Sequence, residues 1–177
     1  KLIFFFLNIT PLNFAATKNR QEIIQKLLSD KEIETGRFYF SDCSLLTQIE
    51  IPSSVTSIES KAFYNCSLLE NIKIPSSVTL IGDNAFYGCA SITQITIPSS
   101  VTSIGGYVFY KCNKLAKVSI LSSITSIKSC SFYCCYSLTN FTIPSSVTSI
   151  DGDAFYRCIS LTEISIPPSV TSIGKSA

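Results

Sequence analysis

Residues 69–89 read Leu69-Glu-Asn-Ile72-Lys-Ile74-Pro75-Ser-Ser-Val78-Thr-Leu-Ile81-Gly-Asp-Asn-Ala85-Phe86-Tyr-Gly-Cys89. Ile72, Lys73 and Ile74 alternate apolar and polar, the pattern of a short strand with one buried face. Pro75 ends that strand, because its nitrogen has no hydrogen to give to a ladder. Ser76 and Ser77 turn the chain, and Val78 and Ile81 return to the interior. Ala85 and Phe86 follow in what is expected to be a short helical or turn segment, and Cys89 closes the unit.

Outward from this stretch the same unit recurs. Ile-Pro stands at Ile51-Pro52, Ile74-Pro75, Ile97-Pro98, Ile143-Pro144 and Ile166-Pro167, with Ile120-Leu121 in the gap, every step being 23 residues. Cys43, Cys66, Cys89, Cys112, Cys135 and Cys158 keep that step, as do Phe40, Phe63, Phe86, Phe109, Phe132 and Phe155. Columns that stay in phase over six repeats are the signature of a solenoid. A single unit buries too little apolar surface to offset the entropy of ordering its backbone. Stacked units share their faces, so stability belongs to the array. The strands of successive coils should run parallel, about 4.8 Å apart, with the phenylalanines in one internal file.

The unit Ile-Pro-Ser-Ser-Val-Thr-Ser-Ile-x-x-x-Ala-Phe-Tyr-x-Cys-x-Ser-Leu-Thr-x-Ile resembles the BspA-type leucine-rich repeat. The resemblance covers residues 37–177, about six coils of 23 residues. It implies a right-handed leucine-rich-repeat solenoid with a parallel β-sheet. It also implies a role in binding proteins or matrix, as in surface antigens and adhesins, and no catalytic residues.

Residues 1–36 break the period. Thr10-Pro11-Leu12-Asn13-Phe14-Ala15-Ala16, then Asn19, Glu22-Ile23-Ile24 and Leu27-Leu28, resemble one ankyrin repeat, with Asn13 in place of the family's His. Ile23, Ile24, Leu27 and Leu28 fall at helical spacing, and Pro11 suits a first helical turn. An N-terminal α-helical hairpin is therefore expected, packed on the first coil as a cap. A truncated ankyrin array is the other reading. The apolar run Leu2–Leu7 is far too short to cross a bilayer and is alternatively the remnant of a signal-peptide core. The chain has no Met and ends mid-coil after Ile173, so it is expected to be part of a longer protein whose repeats continue.

The composition removes several functions. The chain has 177 residues, no His and a net charge of +2. Without His there is no Ser-His-Asp triad, no Cys-His dyad and no His-ligated metal. So small a charge does not mark a nucleic-acid or anionic-membrane surface. Asp151 and Asp153 sit in a turn without a pocket, and Gly105-Gly106 is not a phosphate loop. The chain reads as a non-enzyme without cofactor or metal and with a protein as partner.

The chain has 8 cysteines. Equivalent residues in stacked coils have parallel side-chain vectors about 4.8 Å apart, whereas a disulfide needs converging vectors with Cβ atoms about 3.8 Å apart. The six in phase should therefore be free, buried thiols acting as small hydrophobes. Cys130 and Cys134 lie off the column in the least regular coil, which also carries Leu121 and Lys128. They read as drift on the convex side or as a local link; a metal site with Cys135 would lack a fourth ligand. Tyr64, Tyr87, Tyr110, Tyr133 and Tyr156 form a second aromatic column, either a half-buried row with wet hydroxyls or an adhesive stripe.

The candidate binding face is the outward side of the strands. One column is Gln48, Asn71, Gln94, Lys117, Asn140 and Glu163; the next is Glu50, Lys73, Thr96, Ser119, Thr142 and Ser165. These positions vary between coils while the buried columns stay fixed. They are mostly small and polar and hold no wide aromatic anchor, so the expected binding is weak or multivalent. Two functions follow: a scaffold binding protein partners through this face, or a secreted or cell-surface adhesin binding host or matrix protein. The ankyrin-like lead and free thiols favour the cytoplasm; the family resemblance and the sequons at Asn8, Asn65 and Asn140 favour the surface.

Overall fold

The structure, a computed structural model, describes residues 40–177. The expected N-terminal helical hairpin lies outside the described residues. The described chain winds as a β-solenoid whose paired strands all run parallel in 23-residue register.

The first four coils each contribute two short strands, and the last two contribute one each. The longer ones, on one side, are β1 (Gln48–Glu50), β3 (Asn71–Lys73), β5 (Gln94–Ile97) and β7 (Lys117–Ile120). The two-residue strands of the second side are β2 (Ser57–Ile58), β4 (Leu80–Ile81), β6 (Ser103–Ile104), β8 (Ser126–Ile127), β9 (Ser149–Ile150) and β10 (Ser172–Ile173). Between the two sides the proline closes a turn: Val78 N–H donates to Pro75 O at 3.1 Å, and the same bond forms at Val55, Val101, Val147 and Val170.

The first side is not the single continuous sheet expected. It is two pairs, β1–β3 and β5–β7, and the next coil adds only the bridge Lys117↔Asn140. In that coil Phe141 occupies the column of Ile49, Ile72 and Ile95. Its ring packs against both Phe132 and Phe155, at 60° and 65° to them. Nothing in the side chains explains the break between β3 and β5. The second side splits into β2–β4–β6 and β8–β9–β10 at the coil where Leu121 replaces proline, and there the closing bond from Ile124 to residue 121 is not formed.

The segment before each cysteine is a double turn rather than a helix. Asp42, Asn65, Gly88, Lys111, Cys134 and Arg157 form one column of left-handed residues; Lys61, Asn84, Tyr107, Cys130, Asp153 and Ser176 form another. A left-handed non-glycine residue costs about 1–2 kcal/mol. The coil-to-coil bonds that this backbone makes possible offset the cost. Asn65 N–H donates to Tyr87 O at 2.7 Å and Asn84 N–H to Gly106 O at 2.9 Å, with equivalents in the other coils.

The core is the file of phenylalanines. Phe40, Phe63, Phe86, Phe109, Phe132 and Phe155 stack with centroids 5.5, 5.4, 5.5, 5.5 and 5.3 Å apart, their planes within 19° of parallel. Leu46, Leu69, Ile92, Leu115 and Leu138 are buried beside them. Spacing near one coil rise is what identical rungs dictate.

Candidate functional site

Strand alternation places the twelve candidate residues on one face. In β1, Ile49 is buried while Gln48 and Glu50 point out; in β5, Ile95 and Ile97 are buried while Gln94 and Thr96 point out. Parallel register then puts Gln48 beside Asn71, Glu50 beside Lys73, Gln94 beside Lys117 and Thr96 beside Ser119. Asn140, Thr142, Glu163 and Ser165 are exposed as well, and Ser119 alone is half-buried.

The face carries two shallow grooves. The larger, about 840 Å³, is lined by Gln48, Glu50, Asn71, Lys73, Gln94 and Thr96, with Ile74, Pro98 and Leu121 at its margin. The second, about 510 Å³, is lined by Lys117, Ser119, Asn140 and Thr142, with Leu121 and Pro144 at its margin. Glu163 and Ser165 belong to neither. Leu121 borders both grooves and is 63% exposed. In the sequence it shows only as an irregularity. Its N–H donates to Ile97 O at 2.9 Å, a bond proline cannot make, and this extends the β5–β7 ladder. The surface can hydrogen-bond through carboxamides and hydroxyls around one apolar ridge.

The cysteine column lies on the opposite, sealed side of the chemistry. All eight cysteines are free and buried. Five of the in-phase thiols donate to a phenylalanine carbonyl of the preceding coil: Cys66 to Phe40, Cys89 to Phe63, Cys112 to Phe86, Cys135 to Phe109 and Cys158 to Phe132, at 3.0–3.2 Å. These bonds add a donor role to the expected apolar one. Burial pushes the Cys43 thiol up to about 12, with Asp42 adding to the shift. Burial likewise carries Cys158 to about 12, raises Cys66 further still, and holds Cys89, Cys112 and Cys135 well above the ordinary thiol value. Such thiols stay protonated and inert. Cys130 and Cys134 are unlinked, at left-handed positions and buried despite lying off the column. Tyr107, in contact with Cys130, has its phenol raised chiefly by that contact.

The tyrosine column is half-buried, with rings stacked on one another. Among the described residues no helix is long and apolar enough to cross a membrane.

Residues 31–151 and 79–177 match the family model for the BspA type leucine rich repeat region, in six copies. The chain belongs to the BspA-type leucine-rich-repeat family. Four of the solved structures similar to it show the range of the likeness. A leucine-rich repeat protein of Bacteroides ovatus is 33% identical, with a TM-score of 0.62, over 77% of this chain and 42% of that one. The Treponema protein named T. pallidum leucine rich repeat protein is 28% identical, with a TM-score of 0.68, over 78% of this chain and 72% of that one. The pneumococcal vaccine antigen PcpA is 25% identical, with a TM-score of 0.56, over 70% of this chain and 31% of that one. A leucine-rich repeat protein of Eubacterium ventriosum, 29% identical, is matched over 74% of this chain and likewise 42% of its own length. The chain thus spans under half the length of three of these structures. No curated protein sequence matches it.

Proposed function

We propose that this BspA-type chain is a non-enzymatic interaction scaffold that binds protein partners through the polar face of its longer strands. One observation carries the reading: twelve outward positions vary from coil to coil, and ten of them line two adjacent open grooves, while the buried columns hardly change. The carboxamides and hydroxyls of this face, with Glu50, Lys73, Lys117 and Glu163 among them, offer many single hydrogen bonds, the neutral ones of modest net worth at about 0.5–1.5 kcal/mol each. Binding is therefore spread along the rod and strengthened by repetition, with Leu121 as its one large apolar contact between the grooves.

A second reading is a cell-surface antigen. It is favoured by similarity to a chain described as a vaccine antigen, and it uses the same face toward host or matrix protein.

The test is affinity capture with three immobilised forms of the chain: unaltered, Gln94→Arg with Thr96→Arg on the face, and Lys61→Glu away from it. Partners retained by the first and third and lost by the second support the face. Partners held equally by all three refute it.

A further inference from the structure

Three columns align through the stack: the phenylalanines, the thiols and the tyrosines. Only the last is both oxidisable and reachable. The phenylalanine and cysteine columns are sealed in the core. Tyr64, Tyr87, Tyr110 and Tyr133 are half-buried and Tyr156 is 38% exposed. Their centroids lie 4.6, 4.7, 4.6 and 5.0 Å apart, with planes 15°, 6°, 12° and 29° from parallel. Stacking at that spacing sets each hydroxyl-bearing edge beside the same edge of the next coil. Lys61, Lys111 and Arg157 lie 5.8, 5.5 and 5.7 Å from the centroids of Tyr64, Tyr110 and Tyr156, contacts that hold the rings in this row.

We propose that the tyrosine column is an oxidative cross-linking site, at which hydrogen peroxide and a haem peroxidase join neighbouring coils through dityrosine. Each of two adjacent phenols gives up one electron and its hydroxyl proton. The phenoxyl radicals carry spin density at the ring carbon next to the one bearing oxygen, and these carbons join in one carbon–carbon bond. The hydrogen on each joined carbon moves to oxygen as aromaticity returns. Overall the pair loses two hydrogens, and the two protons and two electrons reduce one peroxide to two waters. Half-exposed edges leave the rings room to tilt out of the stack, and Tyr156 offers the most open point of entry. The bond would tie coil to coil in a stack that has no disulfide among its described residues. The inference is independent of the sheet-face reading.

The experiment treats the full chain with peroxidase and peroxide, with free tyrosine as the control that the enzyme is active. Expected are dityrosine fluorescence, loss of two hydrogens per bond from the intact monomer mass, and digest peptides joining residues 23 apart, such as Tyr64 with Tyr87. Tyr87→Phe with Tyr133→Phe keeps every ring stacked but leaves Tyr64, Tyr110 and Tyr156 without a phenol neighbour in the column, Tyr107 staying beside Tyr110 at 5.8 Å. That variant, shown folded by circular dichroism, should lose every linked peptide pair that joins residues 23 apart. Tyr107→Phe with Tyr136→Phe should keep these pairs. Absence of product while free tyrosine dimerises, links only between molecules, or an undiminished product in the Tyr87/Tyr133 variant would each overturn the proposal.

Discussion

The Cys66 Sγ donates to the carbonyl of Phe40, 26 residues earlier, at 3.0 Å. The same bond repeats down the column, so each coil is tied to its predecessor by a thiol that also fills core volume. A pure hydrophobe would fill the space but leave the carbonyl only the turn bond within its own coil, as from Cys43 N–H to Phe40 O at 3.1 Å. Cys89→Ala removes the donor to Phe63 O and leaves a small void, and should lower unfolding free energy by about 1–3 kcal/mol. Cys89→Ser retains a donor and should lose less. Urea denaturation of the two variants checks the order; Ala as stable as Ser would show that the bond contributes nothing.

The same thiols give the fold a pH limit. Their ordinary value is near 9, and burial holds Cys43 and Cys158 near 12 in the folded state and raises the fully buried Cys89 well above its ordinary value too. Between these values the folded chain binds more protons than the unfolded chain, so stability falls as pH rises. The contribution is complete below about pH 9 and is lost as pH climbs through about 12. Each thiol that ionises on unfolding should steepen the loss by about 1.4 kcal/mol per pH unit. Melting temperature measured from pH 7 to 11 should hold steady at first and then drop. Replacing Cys89 and Cys112 with Ser should flatten the drop.

Position along the stack should set the cost of damage to the core. Phe86 is sandwiched between Phe63 and Phe109 and fully buried, whereas Phe155, in the last coil, is only partly buried. Phe86→Ala should cost about 3–5 kcal/mol; Phe155→Ala should cost clearly less, because part of its surface is already wet. Thermal melts of both variants decide this, and equal losses would contradict stability built from neighbouring interfaces.

The repeat was legible because side chains that must face the core recur at fixed phase, and alternation in Gln94–Ile97 assigned inward and outward residues by the pleat alone. The left-handed columns were half legible. Asn65, Asn84 and Gly88 suit that conformation, but Lys111, Cys130 and Arg157 hide it, since their backbone is imposed by the coils on either side. The thiol bonds were hidden because a cysteine column looks like any small apolar column. The division of the face into two grooves was hidden too. It follows from Leu121 and Phe141, single departures whose effect depends on what the neighbouring coils present. The hairpin reading of residues 11–29 falls outside the described residues.

Leu121 also yields the least intuitive expectation. Five other coils carry proline at this position, so Leu121→Pro would restore the repeat's own choice and close the missing turn to Ile124. A proline compatible with its site stabilises by about 0.4–1 kcal/mol, but one that replaces a bonded N–H destabilises by more. The Leu121 N–H is bonded to Ile97 O at 2.9 Å, and the four-residue pairing of β5 with β7 continues into that bond. The substitution should therefore lower stability, by about 1 kcal/mol or more, although it brings the sequence nearer to its own consensus. Leu121→Ser, which keeps the N–H and removes only an exposed side chain, should leave stability within about 0.5 kcal/mol of the unaltered chain while weakening partner capture at both grooves. Paired denaturation curves separate the two effects: a Pro variant more stable than the Ser variant would mean that closing the turn outweighs the coil-to-coil bond.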